Sequence, residues 1–374
     1  MNTQILTAAL AAFTPEEVQK YISTRQVQLG KFFLARFLPP TISTEADIRD
    51  GNIRILAGIG GVTAPDSPYA KVAGAKVQTM EGSTIKLTAE TTVTERDQKI
   101  MSSKAVNALL RGDQQGAVGA VQQYLSRLFE DGLMLSLDHA QEQFRGIALA
   151  TGEIKGNYGG VYVDADFGVE AKFRPATRTA GSAYGAASSK FWDDVQLARD
   201  TLLGGEPQFI TDPRTATVII NNPVNGILLV GRTVVNDWLT VYTLTQGVRL
   251  ADGSYDTSRR TVDVRKEVTL WVYGGYAEAV DGTRVQFWPE GSMTALLPGS
   301  ERVDVVDGQV VEGALGVTHV GPTWELGGQS GRYGKIFRPE GAEYEVQLKA
   351  AENVLPHLRA TRRAMFFKTA LPAS

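Results

Sequence analysis

Cysteine is absent from the 374 residues, and histidine occurs only as His139, His319 and His357. The first absence excludes disulfides, thiol nucleophiles and thiolate metal sites, and it suits a protein assembled in a reducing cytoplasm. The second leaves few general bases, and no two histidines stand at metal-binding spacing, so each reads as a core or surface residue. An excess of one charge is also missing: 38 Lys and Arg face 41 Asp and Glu, a formal net charge of −3. No basic surface is available to drive tight binding of nucleic acid by counterion release, which argues against a sequence-reading DNA binder. Nowhere do about 18 apolar residues follow one another without charges or turn residues, so no segment has the length of a membrane-spanning helix. The opening MNTQILTAALAAFTPEEVQK lacks the basic start and small-residue cleavage site of a secretory signal and reads as mature sequence.

What the chain does contain is ample material for a core, with 43% apolar residues, enough for two or three ordinary domains or one large body carrying long extensions. Thr14-Pro15-Glu16-Glu17 places a cap, a first-turn proline and two carboxylates where a helix begins, and residues 1 to about 30 read as an arm. KFFLARFLPP, Lys31 to Pro40, is strongly apolar and stops at a double proline, and short strand character follows from Asp47 to Leu56. Ala57 to Gly82 is broken by Gly58, Gly60, Gly61, Pro65, Pro68, Gly74 and Gly82 and holds few core-grade residues, whereas Thr84 to Thr94 alternates as a half-buried strand does. Together they predict a two-stranded loop projecting from the body, which would gain order by lying on a neighbouring chain.

From Ala117 to Gly152 the residues Val118, Val121, Leu125, Phe129, Leu133, Leu137, Ala140, Phe144 and Ile147 recur at three- and four-residue steps. They predict one spine helix roughly 50 Å long. Val161 to Phe173 is a strand candidate, and Ser188 to Leu203 reads as a second helix ended by Gly204-Gly205. Thr217 to Ile220 and Ile227 to Val230 read as strands, and LADGSYDTSRR, Leu250 to Arg260, as a polar, mobile-looking loop. VTLWVYGGYAEAV and TRVQFWPEG flank Asp281-Gly282, the signal of a tight type I′ hairpin. Gly313 to Gly334 is glycine-rich, and Ala342 to Leu348 and Arg363 to Thr369 read as strands.

Chemistry-bearing motifs fail on inspection. Gly334-Lys335 ends like a Walker motif, but Gln329 and Ile336 stand where a glycine and a Ser or Thr are required, so a flexible loop is the better account. Ser83 and Lys86 have acylating-enzyme spacing but fall on opposite strand faces. Asp164 and Asp166 lack the glycine and glutamate of a calcium loop, and Arg111-Gly112-Asp113 reads as a solvated turn before the spine. No catalytic, cofactor-binding or metal-binding residue emerges.

Several blocks taken in order carry a resemblance across most of the chain. The strand ending in Val272-Tyr273-Gly274, the Asp281-Gly282 turn, Trp288-Pro289-Glu290-Gly291 and the Leu-rich SMTALLPG look like the core hairpin of lambda-type tailed-phage major capsid proteins. Phe32 to Phe37 resembles the aromatic segment after that family's arm, and Ile85-Lys86 the return strand of its extended loop. Ala117 to Thr151 resembles its spine helix, Phe191-Trp192-Asp193-Asp194 the start of its next helix, and Val346 to Thr369 its closing strands. The polar insertion around Leu250 to Arg260 and the glycine-rich run before Arg338 depart from the family pattern.

The resemblance implies an α+β Hong Kong 97-like capsid fold. Its parts would be an N-terminal arm (1–40), an extended β-hairpin loop (41–96), a peripheral domain with the spine helix (97–187), an axial domain (188–341) and a return to the peripheral domain (342–374). It further implies a non-enzymatic shell protein, assembled in a bacterial host cytoplasm, whose copies form the hexamers and pentamers of an icosahedral head around double-stranded DNA. Scaffolding protein, portal and a trimeric decoration protein are the partners this implies, with no membrane. Contacts between copies would fall on Phe32, Phe33 and Phe37 of the arm, on Gly60, Pro65, Tyr69, Lys71 and Lys76 of the loop, and on Tyr255, Arg259 and Arg260 near the capsomer axis. The same fold also serves encapsulin compartments, which enclose an enzyme rather than DNA, and this is the alternative reading.

Overall fold

The computed structural model describes the chain except for residues 1–2, 25–31, 46, 55–75, 94, 159–160, 203–204, 251–254, 261–265, 279–281, 298–302, 306–308, 312–313, 341–344 and 372–374. Helices α1 (Thr3–Leu10) and α2 (Pro15–Thr24) open it. Strands β1 (Pro40–Ile42), β2 (Asp47–Arg54), β3 (Lys76–Ser83) and β4 (Ile85–Thr92) follow. Helix α3 (Glu95–Leu109) turns back into α4 (Gln114–Arg127), which continues through a π-helical segment, Leu128–Met134, into α5 (Leu135–Thr151). The hairpin β5 (Glu153–Tyr158) and β6 (Val161–Asp166) leads to α6 (Phe191–Thr201), β7 (Gln208–Thr211) and α7 (Pro213–Asn221). Next come β8 (Ile227–Asn236), β9 (Leu239–Arg249), β10 (Tyr255–Arg260), β11 (Glu267–Tyr273), β12 (Tyr276–Glu278), β13 (Arg284–Gln286) and β14 (Ser292–Leu296). The chain closes with β15 (Val303–Val305), β16 (Gln309–Val311), β17 (Gly316–Gly321), β18 (Tyr333–Phe337), β19 (Gln347–Leu358) and β20 (Ala364–Lys368).

Two sheets organise these elements. In the five-stranded sheet β19 is central: β4 pairs one edge, and β18 and β17 share the other, with β1 added parallel to β17. The seven-stranded sheet runs β10-β9-β11-β7-β14-β20, with β8 also on β9. Helix α5 touches β4 and β19 of the first sheet and β14 and β20 of the second. The spine, both sheets and α1 and α2 share one apolar cluster.

The spine is the best-read element. It runs unbroken from Gln114 to Thr151, and Val121, Leu125, Phe129, Leu133, Leu137 and Phe144 of its stripe are buried. Asp113 caps it, accepting a hydrogen bond from the Gly116 N–H at 2.7 Å. The π-helical turn has a reason in the spacing. A strict four-residue step overshoots the 3.6-residue turn of an α-helix, so a stripe of that spacing drifts around the axis, and a wider turn takes up part of the drift.

Other expectations are corrected. Thr217 to Ile220 is helical, inside α7, because Asp212 accepts from the Thr215 N–H at 2.8 Å and Pro213 occupies the first turn. Cap and proline override the β-branched run. Strand β4 alternates as read, but it is embedded beside β19; β2 and β3 form a separate two-stranded pair, with β3 beside β6. The hairpin around Gly282 exists as β12 and β13, yet Glu278 pairs Arg284, leaving five residues between them rather than a two-residue turn. The preceding strand breaks at Gly274-Gly275, and β11 joins the seven-stranded sheet. Strand β6 ends at Asp166, and the strand expected from Ala342 runs instead from Gln347 to Leu358. The glycine-rich stretch after Gly313 holds β17 and β18 rather than a flexible loop. These two lie within 188–341 yet pair with β19, and β20, within 342–374, pairs with β14 of the other sheet.

Gly146 shows how closely the spine is packed. A Cβ there would lie 1.8 Å from the carbonyl oxygen of Phe287, a backbone atom that cannot step aside. Gly146→Ala, which in an isolated helix would stabilise by about 1 kcal/mol, is expected to destabilise the protein by about 1–3 kcal/mol or more through overpacking. Urea denaturation followed by circular dichroism measures the sign.

Candidate functional site

The face of α5 beside its apolar stripe carries Asp138, Gln141, Glu142 and Arg145, all buried. Their spacing of three and four residues aligns them along one side of the helix. Glu142 Oε1 accepts from the Leu34 N–H at 2.8 Å and from the Tyr273 hydroxyl at 2.9 Å, and its Oε2 accepts from Arg145 Nη1 at 3.3 Å. Arg145 also donates to Thr318 Oγ1 at 3.0 Å and to Gln141 Oε1 at 2.7 Å, and the Thr318 hydroxyl donates to the carbonyl of Leu38 at 2.8 Å. Gln141 Nε2 donates to Glu352 Oε1 at 2.9 Å. Arg332 clasps both Glu352 oxygens, at 2.7 and 3.0 Å, and reaches Asp138 Oδ1 at 2.8 Å.

One connected network therefore ties the Phe32 to Phe37 segment, the spine, β11 and the five-stranded sheet. Burial pushes the Glu142 carboxyl above its ordinary range, against the pull of Arg145 and of the hydrogen bonds from Leu34 and Tyr273. Burial opposes the charge of Arg332, but Glu352 and Asp138 outweigh it and hold the guanidinium protonated. Sequence reading missed this joint. Its signal was present: Asp138, Gln141, Glu142 and Arg145 stand among apolar residues on a helix with almost no solvent-facing side in that turn.

The residues expected to contact neighbouring copies divide into three groups. Phe32, Phe33 and Phe37 are buried in their own chain: Phe33 stacks on Trp271 at 4.8 Å between centroids, and Phe32 meets Trp238 edge-on at 5.9 Å. An apolar run of that density is satisfied by the core beside it. Gly60, Pro65, Tyr69 and Lys71 lie outside the described residues, and Lys76 opens β3 opposite Arg54. Tyr255 is half-buried and packs on Gly226, while Arg259 and Arg260 end β10, which pairs with β9; residues 255–260 are thus strand rather than mobile loop.

The segment read as an arm holds two helices. Helix α2 begins where the Thr14-Pro15 signal placed it, with the Glu17 N–H donating to Thr14 Oγ1 at 3.2 Å. Rather than reaching outward, α1 packs on α4 and α2 on β18, and Ile5, Leu6, Ala9 and Val18 are buried there. Gln19 Nε2 donates to the carbonyl of Arg332 at 3.0 Å. His319 and His357, unrelated in sequence, are stacked 5.8 Å apart by the register of β17 on β19. Asp164 is exposed and pairs with Lys155 at 3.2 Å, and Lys86 is exposed and pairs with Glu325.

Among the described residues, exposed apolar side chains group at several places. Leu229, Val230, Val234 and Val235 are exposed along β8, whose register slips at two bulges. Val106, Leu109 and Leu110 are exposed at the α3–α4 turn, Val161 and Tyr162 on the β5–β6 hairpin, and Trp324 before β18.

Two outcomes are expected for the joint. Arg332→Met leaves Glu352 and Asp138 buried without their cation and should cost about 3–5 kcal/mol in urea denaturation. Glu142 has a raised folded-state pKa, so its contribution is fully present below the unfolded carboxylate pKa and is lost as pH rises through the folded value. The fall in unfolding midpoint across and above the ordinary carboxylate range should be shallower in Glu142→Gln than in the parent; identical slopes would contradict it.

No family model matches the sequence, and no curated protein does. Solved structures match along nearly the whole chain. A candidate capsid protein of a prophage of E. coli CFT073 is 11% identical with a TM-score of 0.54, over 95% of this chain and 99% of that one. A phage-related protein of Bordetella bronchiseptica RB50 is 10% identical, with a TM-score of 0.45 over 96% and 99%. The capsid of an empty GTA particle is 12% identical, with a TM-score of 0.44 over 92% of each chain. The chain thus has an α+β fold similar to that of the prophage capsid protein over 95% of its length.

Proposed function

We propose that copies of this chain assemble into the icosahedral head of a tailed phage, as hexamers and pentamers of a Hong Kong 97-like subunit enclosing double-stranded DNA. The observation that carries the reading is the end-to-end match in fold to the prophage capsid protein, which leaves almost no part of either chain unaccounted for. The polar chemistry agrees with a structural role, since the buried charges of α5 are spent on one another and on the backbone of the chain's own segments. A subunit of net charge −3 also suits a container, because a strongly basic wall would hold DNA phosphates and impede their movement.

In this reading the β2–β3 extension, through residues 55–75, lies across an adjacent subunit, and the polar stretch ending in β10 approaches the capsomer axis. Many modest contacts add through multivalency while each remains weak enough for errors to reverse. Portal, scaffolding and decoration proteins are the partners of such a shell. Negative-stain microscopy of the expressed chain tests the proposal, with regular closed particles expected. Deleting residues 60–76 should leave a folded body that forms no stable shells; normal shells from that variant would contradict the role of the extension. Particles loaded with one protein and free of nuclease-protected DNA would favour the encapsulin alternative.

A further inference from the structure

Trp324 is 89% exposed, which is unusual for the side chain with the largest apolar area. The turn that carries it is firmly built. The Gly327 N–H donates to the Trp324 carbonyl at 2.9 Å, the Gly328 N–H to the Thr323 carbonyl at 3.1 Å, and the Thr323 N–H to the Gln329 carbonyl at 3.0 Å. Asn353 Nδ2 donates to the Pro322 carbonyl, and the Ser330 hydroxyl to that of Ser43, so β19 and the segment after β1 anchor both ends. The indole is thus held outward at little further entropic cost on binding, as interface anchors are.

The same corner of the molecule carries a groove of about 980 Å³ between β4, α5 and the β5–β6 hairpin. Phe144, Tyr158, Val161, Tyr162 and Val285 form its apolar wall, and Val161 and Tyr162 are 62% and 63% exposed. Lys86 stands on its rim and pairs with Glu325, the residue next to Trp324, across a half-exposed gap. Knob and groove therefore carry complementary charge and sit side by side on one chain. A rotation about an axis near this corner brings the knob of each copy to the groove of the next, and the Lys86–Glu325 pair can be remade between chains. A knob that fits a groove elsewhere on the same molecule makes a head-to-tail contact, which closes into a ring when the rotation permits.

We propose that Trp324 inserts into the groove beside Tyr162 of a second copy of this chain, forming a contact around a local symmetry axis of the assembly. This rests on the shell reading and names one contact within it.

The test uses full-length protein, in which Trp324→Ala should fold with the parent's thermal midpoint, the side chain being exposed. It should require a subunit concentration on the order of tenfold higher for assembly, as loss of a hot-spot aromatic does. Acrylamide quenching, taken as the difference between the parent and Trp324→Phe, should show Trp324 shielded in particles and open in free subunits. Because the chain has no cysteine, mixing Trp324→Cys with Tyr162→Cys subunits and oxidising should give a covalent dimer only when they assemble. Particles in which Trp324 stays quenchable, or in which Tyr162→Cys forms a disulfide with a Tyr69→Cys subunit but not with Trp324→Cys, would overturn the contact and leave the shell reading standing. A chain that stays single at every concentration would overturn both.

Discussion

Removing charges from water without compensation is among the most expensive things a folded chain can do, and this fold places four charged side chains of one network in its interior. Asp138, Glu142, Arg145 and Glu352 are nearly inaccessible, and Arg332 closes the circuit between them. Their partners are supplied by distant parts of the chain: the backbone of Leu34, the hydroxyls of Tyr273 and Thr318, and the amide of Gln141. No partial structure satisfies them, so the spine, the aromatic N-terminal segment and the two sheets must reach their places together. A specificity role for such a network follows from directionality, since hydrogen-bonded charges accept one arrangement where an apolar contact accepts several.

That rigidity bears on the proposed role. A shell made of many identical units needs subunits that present the same angles each time, because small deviations accumulate around a closed surface. The joint fixes β11 of the seven-stranded sheet against the five-stranded sheet through the spine, while several of the apolar groups left outside among the described residues stand on β8, the α3–α4 turn, the β5–β6 hairpin and Trp324. The bulges of β8 interrupt its ladder, so its apolar side chains are offered without a regular backbone edge to which a foreign strand could add.

Features whose cause is local were legible in the sequence. The stripe of the spine, the Thr14-Pro15 helix start, the alternation of β4 and the last strand, Ala364–Lys368, all follow from periodicity or capping within a few residues. One misreading was local, and the others depended on partners far away in the chain. The β-branched run at Thr217 became a helix because of Asp212 and Pro213, a cap that the reading passed over. Strand β4 alternates equally well in a projecting loop or beside β19, and its register with Gln347 to Val354 is invisible to periodicity. Phe32 and Phe33 meet Trp238 and Trp271, some 200 residues on, and Phe33 meets Phe37 edge-on, a cover that no local pattern reveals. Which apolar residue remains exposed is decided only after the whole chain has packed, so candidate contacts are less legible in sequence than the fold.

The central claim is that this chain is completed by copies of itself. Sedimentation velocity of the purified full-length protein over a wide concentration range tests it most directly. The account predicts a fast, narrow boundary from closed particles of uniform size, in equilibrium with small oligomers as the solution is diluted. A single slow boundary at the 40.4 kDa of one chain, at every concentration, would contradict it.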